Sequence, residues 1–312
     1  MEEDGPRDES EPGPERRTRA GFIAVIGAPN AGKSTLVNRI VGTKVSIVTP
    51  KVQTTRTRVR GIAMVGDAQL VFIDTPGIFR PRRRLDRAMV AAAWDGAADA
   101  DEVVLLVDAH HGAGDEVLTI VEGLKRVGRR AILALNKIDL IRRDRLLALS
   151  AELNAHDCFT ETFMLSAETG DGVDDLVALL AARAPEGPWM FPEDEVSDMP
   201  MRLLAAEITR EKVFLQLRQE LPYSSTVLTD QWEERDDGSV RIDQTILVQR
   251  DGHRAIVLGK GGSRIRSIGQ AARTELEALF ERRVHLFLHV KVAENWLDQR
   301  SHYTEWSLNF DA

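Results

Sequence analysis

The chain has 312 residues, 43% of them hydrophobic and 29% charged, with a formal net charge of −8. That length predicts two domains of the usual ~100–200 residues; the composition excludes a fibre or a wholly disordered chain, and the acidic balance argues against indiscriminate coating of nucleic acid. Cys158, the single cysteine, excludes an internal disulfide or a structural zinc site, and the lack of both a run of ~18 apolar residues and a signal-peptide apolar region predicts a cytoplasmic protein.

Residues 1–20 carry seven acidic residues against four arginines and almost nothing apolar, which predicts a solvated, disordered acidic tail. Short apolar runs then alternate with stretches of helical length. Strands are expected over 21–26, 59–65, 69–74, 103–108, 131–136 and 163–166, with Gly66-Asp67 as a hairpin turn. This pattern predicts an α/β domain over 21–183, a mostly parallel sheet with helices on both faces. Residues 184–200, with Pro185, Pro188, Pro192, Pro200 and five acidic residues, resist helix and strand and read as a linker. A second, α+β domain is expected over 201–296: a helix over 202–220, extended runs over 225–234 and 240–250, helix around the glycines at 259–262, a long helix to Phe280 and a strand over 284–292. Residues 297–312 remain as a C-terminal tail.

Gly27-Ala28-Pro29-Asn30-Ala31-Gly32-Lys33-Ser34, followed by Thr35, matches G-x-x-x-x-G-K-[ST] between a predicted strand and a predicted helix, the setting in which such a loop cradles phosphates. Backbone N–H groups converge there on anionic oxygens at a helix N-terminus; Lys33 suits the β- and γ-phosphates and Ser34 a magnesium ion. Asp74-Thr75-Pro76-Gly77 closes a buried strand, so Asp74 can help hold magnesium and the Gly77 N–H can sense the γ-phosphate. Between these motifs, Lys51-Val52-Gln53-Thr54-Thr55-Arg56-Thr57-Arg58 is polar and aperiodic, as a switch loop ordered by γ-phosphate and magnesium would be. One of Thr54 and Thr55 should reach the metal, and the residues do not choose between them.

Asn136-Lys137-Ile138-Asp139 and Ser166-Ala167-Glu168, each at the end of an expected strand, complete a series that resembles the GTPase superfamily. In that superfamily the N-K-x-D aspartate accepts from the guanine N1–H and exocyclic amine. The resemblance therefore implies GTP and GDP as ligands of Asp139, with specificity arising from a buried carboxylate that adenine leaves unpaired. It also implies guanine contacts from the backbone of Ser166-Ala167-Glu168, where Glu168 departs from the usual lysine. A small-molecule kinase or ATPase using the same phosphate loop is the rival reading, and Asp139 discriminates: a shift from guanine to xanthine nucleotides in Asp139→Asn removes it. Ile78 occupies the place of the water-orienting glutamine of Ras-like enzymes, so hydrolysis is expected to be slow and to need charge from another group. The loop asparagine, the Thr-Thr-Arg segment and this hydrophobic residue are similar to the TrmE-Era-EngA-like superfamily, in which the loop asparagine helps bind potassium. The resemblance adds K+ to Mg2+ as a candidate cofactor, with Asn30 as its ligand. Asn30, Lys33, Thr54, Thr55 and Gly77 form the expected catalytic set.

In the second half, Val257-Leu258-Gly259-Lys260-Gly261-Gly262-Ser263-Arg264-Ile265-Arg266 places G-x-x-G between helical stretches, the KH arrangement that lets a nucleic-acid backbone approach closely. From Arg250 to Lys291 nine basic residues stand against four acidic ones, a local basic footprint for RNA. Lys260, Arg264 and Arg266 suit phosphates; Leu258 and Ile265 suit an apolar groove, and Ile256 reads as core. The helix-strand-strand order ahead of this loop matches a type II KH topology.

With Glu220-Leu221-Pro222-Tyr223-Ser224 and Val284-His285-Leu286-Phe287-Leu288-His289-Val290-Lys291-Val292, residues from Gly21 to about Trp296 resemble the Era family of bacterial ribosome-assembly GTPases. The resemblance implies a cytoplasmic monomer, open to peripheral association with the inner membrane. It also implies binding to 16S ribosomal RNA near its 3′ end, within the 30S subunit, with GTP favouring the RNA-competent form. The residues after Trp296 and the acidic extension depart from the family pattern. Arg80, Arg82, Arg83, Arg84 and Arg87, after the second switch motif, suit phosphates, the other domain or a solvated face.

Overall fold

The first apolar run forms β1 (Arg19–Ile26), one of the two central strands of a six-stranded sheet. The computed structural model describes residues 17–217 and 221–312. The sheet contains β2 (Val59–Val65), β3 (Ala68–Asp74), β4 (Glu102–Asp108), β5 (Ala131–Asn136) and β6 (Phe159–Met164), in the order β2-β3-β1-β4-β5-β6. Every neighbour pair is parallel except β2 and β3, which turn at Gly66-Asp67. Along β4, Val103, Leu105 and Val107 join one apolar cluster while Val104 and Leu106 join another on the opposite face. A strand buried on both sides must be apolar at every position, hence the unbroken run.

Helices α1 (Lys33–Val41), α2 (Arg84–Asp99), α3 (Asp115–Arg126), α4 (Arg143–Asn154) and α5 (Val173–Arg183) cover the two faces. Two boundaries differ from expectation. β1 starts at Arg19, inside the stretch read as a disordered tail; residues 1–16 of that stretch lie outside the described residues. β6 overlaps the expected 163–166 run only at Phe163–Met164 and starts four residues earlier, because this edge strand exposes Thr160 and Glu161 and so carries no continuous apolar signal.

Residues 184–200 contain neither helix nor strand but lie back along the first domain. Ala20 N–H donates to Pro185 O (3.0 Å), Gly187 N–H to Thr18 O (3.0 Å) and Ile62 N–H to Val196 O (2.9 Å). The buried Gln69 side chain donates to Phe191 O and accepts from the Met190 and Phe191 N–H groups.

The second domain runs α6 (Met201–Gln216), β7 (Ser225–Glu234), β8 (Val240–Val248), α7 (Asp251–Leu258), α8 (Ser263–Phe280) and β9 (Val284–Val292). β7 pairs antiparallel with β8, and β8 parallel with β9. Helix α6 ends at Gln216, earlier than expected; residues 218–220 lie outside the described residues. The C-terminal residues do not trail into solvent. A turn at Trp296–Asp298 and α9 (Arg300–Glu305) carry Trp296, Tyr303, Trp306 and Leu308 onto Leu85, Ala88, Met89 and Ala92 of α2, forming a core between the domains. Arg84 and Arg87 meet this segment, through Phe310 and the Ala312 carbonyl, whereas Arg80, Arg82 and Arg83 are exposed.

Candidate functional site

Between the end of β1 and the start of α1 the chain closes a tight loop. Gly27 and Gly32 have left-handed φ values, and a Cβ on them would meet Leu106 O at 2.4 Å and Asn136 Nδ2 at 2.3 Å, so no larger residue fits. Lys33 is buried and donates to Gly27 O (3.2 Å) and Ala28 O (3.0 Å); burial pushes its ammonium down to about 8, against the pull of Asp74. The loop opens on a cavity of about 460 Å³ that Asn30, Lys33, Ser34, Thr35, Thr55, Gly77 and Lys137 all line. Asn30 is exposed with φ 62°, a turn conformation asparagine tolerates. A Cβ on Gly77 would stand 3.0 Å from the Pro29 backbone, so Gly77 keeps its strand end close to the loop.

Asp74 is fully buried at the end of β3. Its Oδ2 accepts from Ser34 Oγ (2.7 Å), Ser46 Oγ (2.6 Å) and Thr55 Oγ1 (3.4 Å), while Oδ1 has no partner. Burial pushes the carboxyl up, against those hydroxyls and the Lys33 charge. A ring of hard oxygen donors around an orphaned buried oxygen suits magnesium. The structure brings Thr55 to this ring, 2.9 Å from Ser34. It turns the Thr54 hydroxyl instead toward Thr49 Oγ1 (2.6 Å) and Lys51 O (2.7 Å). Ser46, 28 residues from Asp74, has no sequence motif to announce it. Thr75 is buried and bonds Val25 O at 2.8 Å, Pro76 is buried, and Ile78 lies in the core with its N–H on Gly27 O.

On the other side of the loop, buried Asn136 donates to Ala31 O (2.8 Å) and accepts from Ala167 N–H (2.9 Å). Lys137 donates to Asn30 O (2.9 Å) and to Asp108 Oδ2 (2.6 Å). Burial alone would raise the Asp108 carboxyl, but Lys137 and His111 outweigh it and hold it below the usual range. Ser166 is buried and accepts from Thr169 N–H, and Arg39 donates to the carbonyls of Ala167 and Glu168. Ile138 and Asp139 begin a short 3-10 turn. Asp139 is exposed, not buried as expected, so a base hydrogen-bonded to it must itself exclude the water. Sequence reasoning missed Asp108 and Arg39, whose partners are 29 and 128 residues away.

In the second domain, Gly259, Gly261 and Gly262 all have left-handed φ values; a Cβ on Gly259 would come within 2.8 Å of the Arg264 Cβ, while Gly261 faces open space. Lys260, Arg264 and Arg266 are exposed, Arg264 bonding Ile256 O (3.0 Å) and Arg266 bonding Gly261 O (2.8 Å). Ile265 lines a groove of about 340 Å³ between α8 and β9 with Arg266, Arg273, Leu286 and Phe287. Ile256 is 44% exposed rather than core, since its helix buries Val257 instead.

A phosphate loop, a buried metal-side carboxylate and an N-K-x-D turn on a mostly parallel sheet, joined to a basic glycine loop in a KH fold, define a phosphate-loop GTPase with an RNA-binding module. The family models for "50S ribosome-binding GTPase" and "KH domain" match residues 22–137 and 220–297. The chain is 58% identical to GTPase Era of Caulobacter vibrioides over 309 residues, 95% of this chain and 98% of that one. It is 60% identical to GTPase Era of Dinoroseobacter shibae over 296 residues, 94% and 96% of the two chains. Its fold is similar to Aquifex aeolicus Era bound to GDP and AlF4− (TM-score 0.88, 37% identity, 93% of this chain and 99% of that one). It is equally similar to Era in complex with MgGDPNP and nucleotides 1506–1542 of 16S ribosomal RNA (TM-score 0.88, 38% identity, 93% and 98%). The chain belongs to the Era family and is a GTP hydrolase.

Proposed function

We propose that this protein is a GTP-timed switch that takes the 3′ end of 16S ribosomal RNA on its KH domain and assists assembly of the 30S subunit. The observation that carries the reading is the union, in one chain, of a guanine-nucleotide site and an exposed basic glycine loop beside an apolar groove. An Era of the same fold and 38% identity binds nucleotides 1506–1542 of that RNA together with MgGDPNP.

In this reading Ser34, Thr55 and Asp74 hold magnesium, which neutralises charge on the β- and γ-phosphates. Lys33 exchanges its two loop carbonyls for phosphate oxygens, the Gly77 N–H senses the γ-phosphate, and Asp139 selects guanine. Ile78 is buried and orients no water, so hydrolysis is slow and draws on added charge; Asn30 supplies a potassium ligand. The glycine loop brings Lys260, Arg264 and Arg266 to RNA phosphates, while Ile265 and its groove take unstacked bases. GTP favours the RNA-competent arrangement, and by linkage RNA favours GTP equally. The protein acts as a cytoplasmic monomer.

Crosslinking to RNA in cells tests this, comparing the natural chain with Lys260→Asp/Gly261→Asp. Enrichment of the 3′ end of 16S RNA that the double variant loses is the expected result. Absence of that RNA, or no effect of the substitutions, refutes the assignment.

A further inference from the structure

Three consecutive residues of the first switch segment face three different partners. The Thr54 carbonyl accepts from the Arg210 guanidinium of α6. The Thr55 hydroxyl joins Ser34 and Asp74 at the phosphate cavity. Arg56 enters the second domain and is only 1% exposed. Its guanidinium carbon lies 5.5 Å from a ring centroid of Trp296, 5.9 Å from Trp306 and 5.8 Å from Phe214, and Nη1 donates to Ser225 O at 3.1 Å. Among the described residues Nε and Nη2 have no partner. A buried guanidinium with one hydrogen bond is held mainly by ring faces. Such a contact depends on the rings' placement and gives way when either side moves, unlike a carboxylate pair with fixed, bidentate geometry.

The same rings touch the second switch. Trp296 and Trp306 belong to the C-terminal core that covers Leu85 and Met89 of α2, the helix that follows Asp74-Thr75-Pro76-Gly77. Arg84 of α2 stacks over Phe310 at 4.3 Å and lies 3.9 Å from Asp298, and Arg87 bonds the Ala312 carbonyl. One aromatic socket therefore contacts both segments that a γ-phosphate would order.

We propose that Arg56 in its socket of Phe214, Trp296 and Trp306 reads the nucleotide state for the KH domain, and that the C-terminal segment is the built-in effector of both switches. The proposal rests on the GTP-favoured RNA binding proposed above and assigns its coupling to named residues. With Thr55 at the Ser34–Asp74 ring, as here, Arg56 fills the socket; when the γ-phosphate is lost and Thr55 leaves the ring, Arg56 is withdrawn, the socket follows, and the KH domain changes its orientation on the first domain. Arg56 and Trp306 are positioning residues, since neither lines the phosphate cavity.

The test uses the full chain, an RNA of 16S nucleotides 1506–1542, and either GDP or GDPNP with magnesium. Wild type, Arg56→Lys and Trp306→Leu are compared for RNA affinity and, without RNA, for tryptophan emission. Arg56→Lys keeps the charge but loses the planar group that stacks; Trp306→Leu alters the socket from the other domain. In the wild type, GDPNP tightens RNA binding within the ~5–150-fold range of coupled sites, and in each folded variant the ratio falls to about twofold or less. Emission differs between the two nucleotides in the wild type, and the difference shrinks in both variants. A wild-type ratio retained in either folded variant overturns the proposal. If the wild type shows no ratio, the GTP-favoured RNA reading fails instead, and wild-type emission insensitive to nucleotide then overturns the socket as well.

Discussion

Asn136 donates its side-chain amide to the carbonyl of Ala31 over 2.8 Å, which ties the loop facing the phosphates to the turn facing the base. Because the same side chain also accepts from Ala167 N–H, three motifs meet on one buried residue. Asn136→Ala leaves a buried carbonyl and a buried N–H unpaired, each a loss of about 1–3 kcal/mol. Chemical denaturation is expected to show a clearly lower midpoint with an unchanged slope, and GTP and GDP affinities should fall together. A variant as stable as wild type with unaltered affinity removes this role.

Asp139 gives a second expectation. Asp139→Asn turns an acceptor into a donor, which favours xanthine over guanine. Guanine nucleotide affinity should drop by at least about a hundredfold while xanthine nucleotide affinity rises. Since Asp139 is exposed, this discrimination develops only as the base covers it. Equal loss for both bases would point to a collapsed turn rather than to recognition.

The third concerns the cation. Replacing sodium by potassium at constant ionic strength should raise the steady-state GTPase rate, and Asn30→Ala should abolish the difference. Equal rates in both salts for the wild type rule out a potassium role and leave Asn30 as a turn residue, which its φ of 62° alone would explain.

The fourth is a pH dependence of the C-terminal core. His302 is buried and stacked on Trp306 at 5.6 Å, its Nε2 has no partner among the described residues, and burial pushes its imidazole below the ordinary 6.5. The folded state then binds fewer protons than the unfolded state, so His302 costs nothing above pH 6.5 and destabilises as pH falls below it. Between about pH 7.5 and about pH 5.5 the wild type should lose more thermal stability than His302→Phe. Identical losses would place the acid sensitivity elsewhere.

Much of the nucleotide site was legible because each motif is local and each closes a strand whose continuous apolar run announces it: β3 before Asp74, β5 before Asn136. The first half of β6 is not legible because an edge strand with Thr160 and Glu161 exposed reads like a loop. The switch segment is polar and aperiodic in sequence, yet Thr55, Arg56 and Thr57 are buried; Thr55 finds its partners on Ser34 and Asp74, and Arg56 finds its own in the second domain. Nothing local could choose Thr55 over Thr54, since the choice is made by Ser34, 21 residues away. In sequence the C-terminal residues look like a tail because their partners on α2 lie more than 200 positions earlier, and an aromatic residue near a chain end carries no address.

The path of residues 184–200 has a consequence for how far the domains can travel. A free tether of seventeen residues would let the second domain wander over tens of ångströms and exchange with that of a neighbouring molecule. Here Pro185, Gly187, Phe191 and Val196 are fastened to the first domain, which leaves only the residues just before Met201 as slack. The free part of the joint is reduced to Pro200, since Met199 itself packs on the first domain's core. The RNA module is thus kept at high local concentration beside its own nucleotide clock, and domain swapping is suppressed.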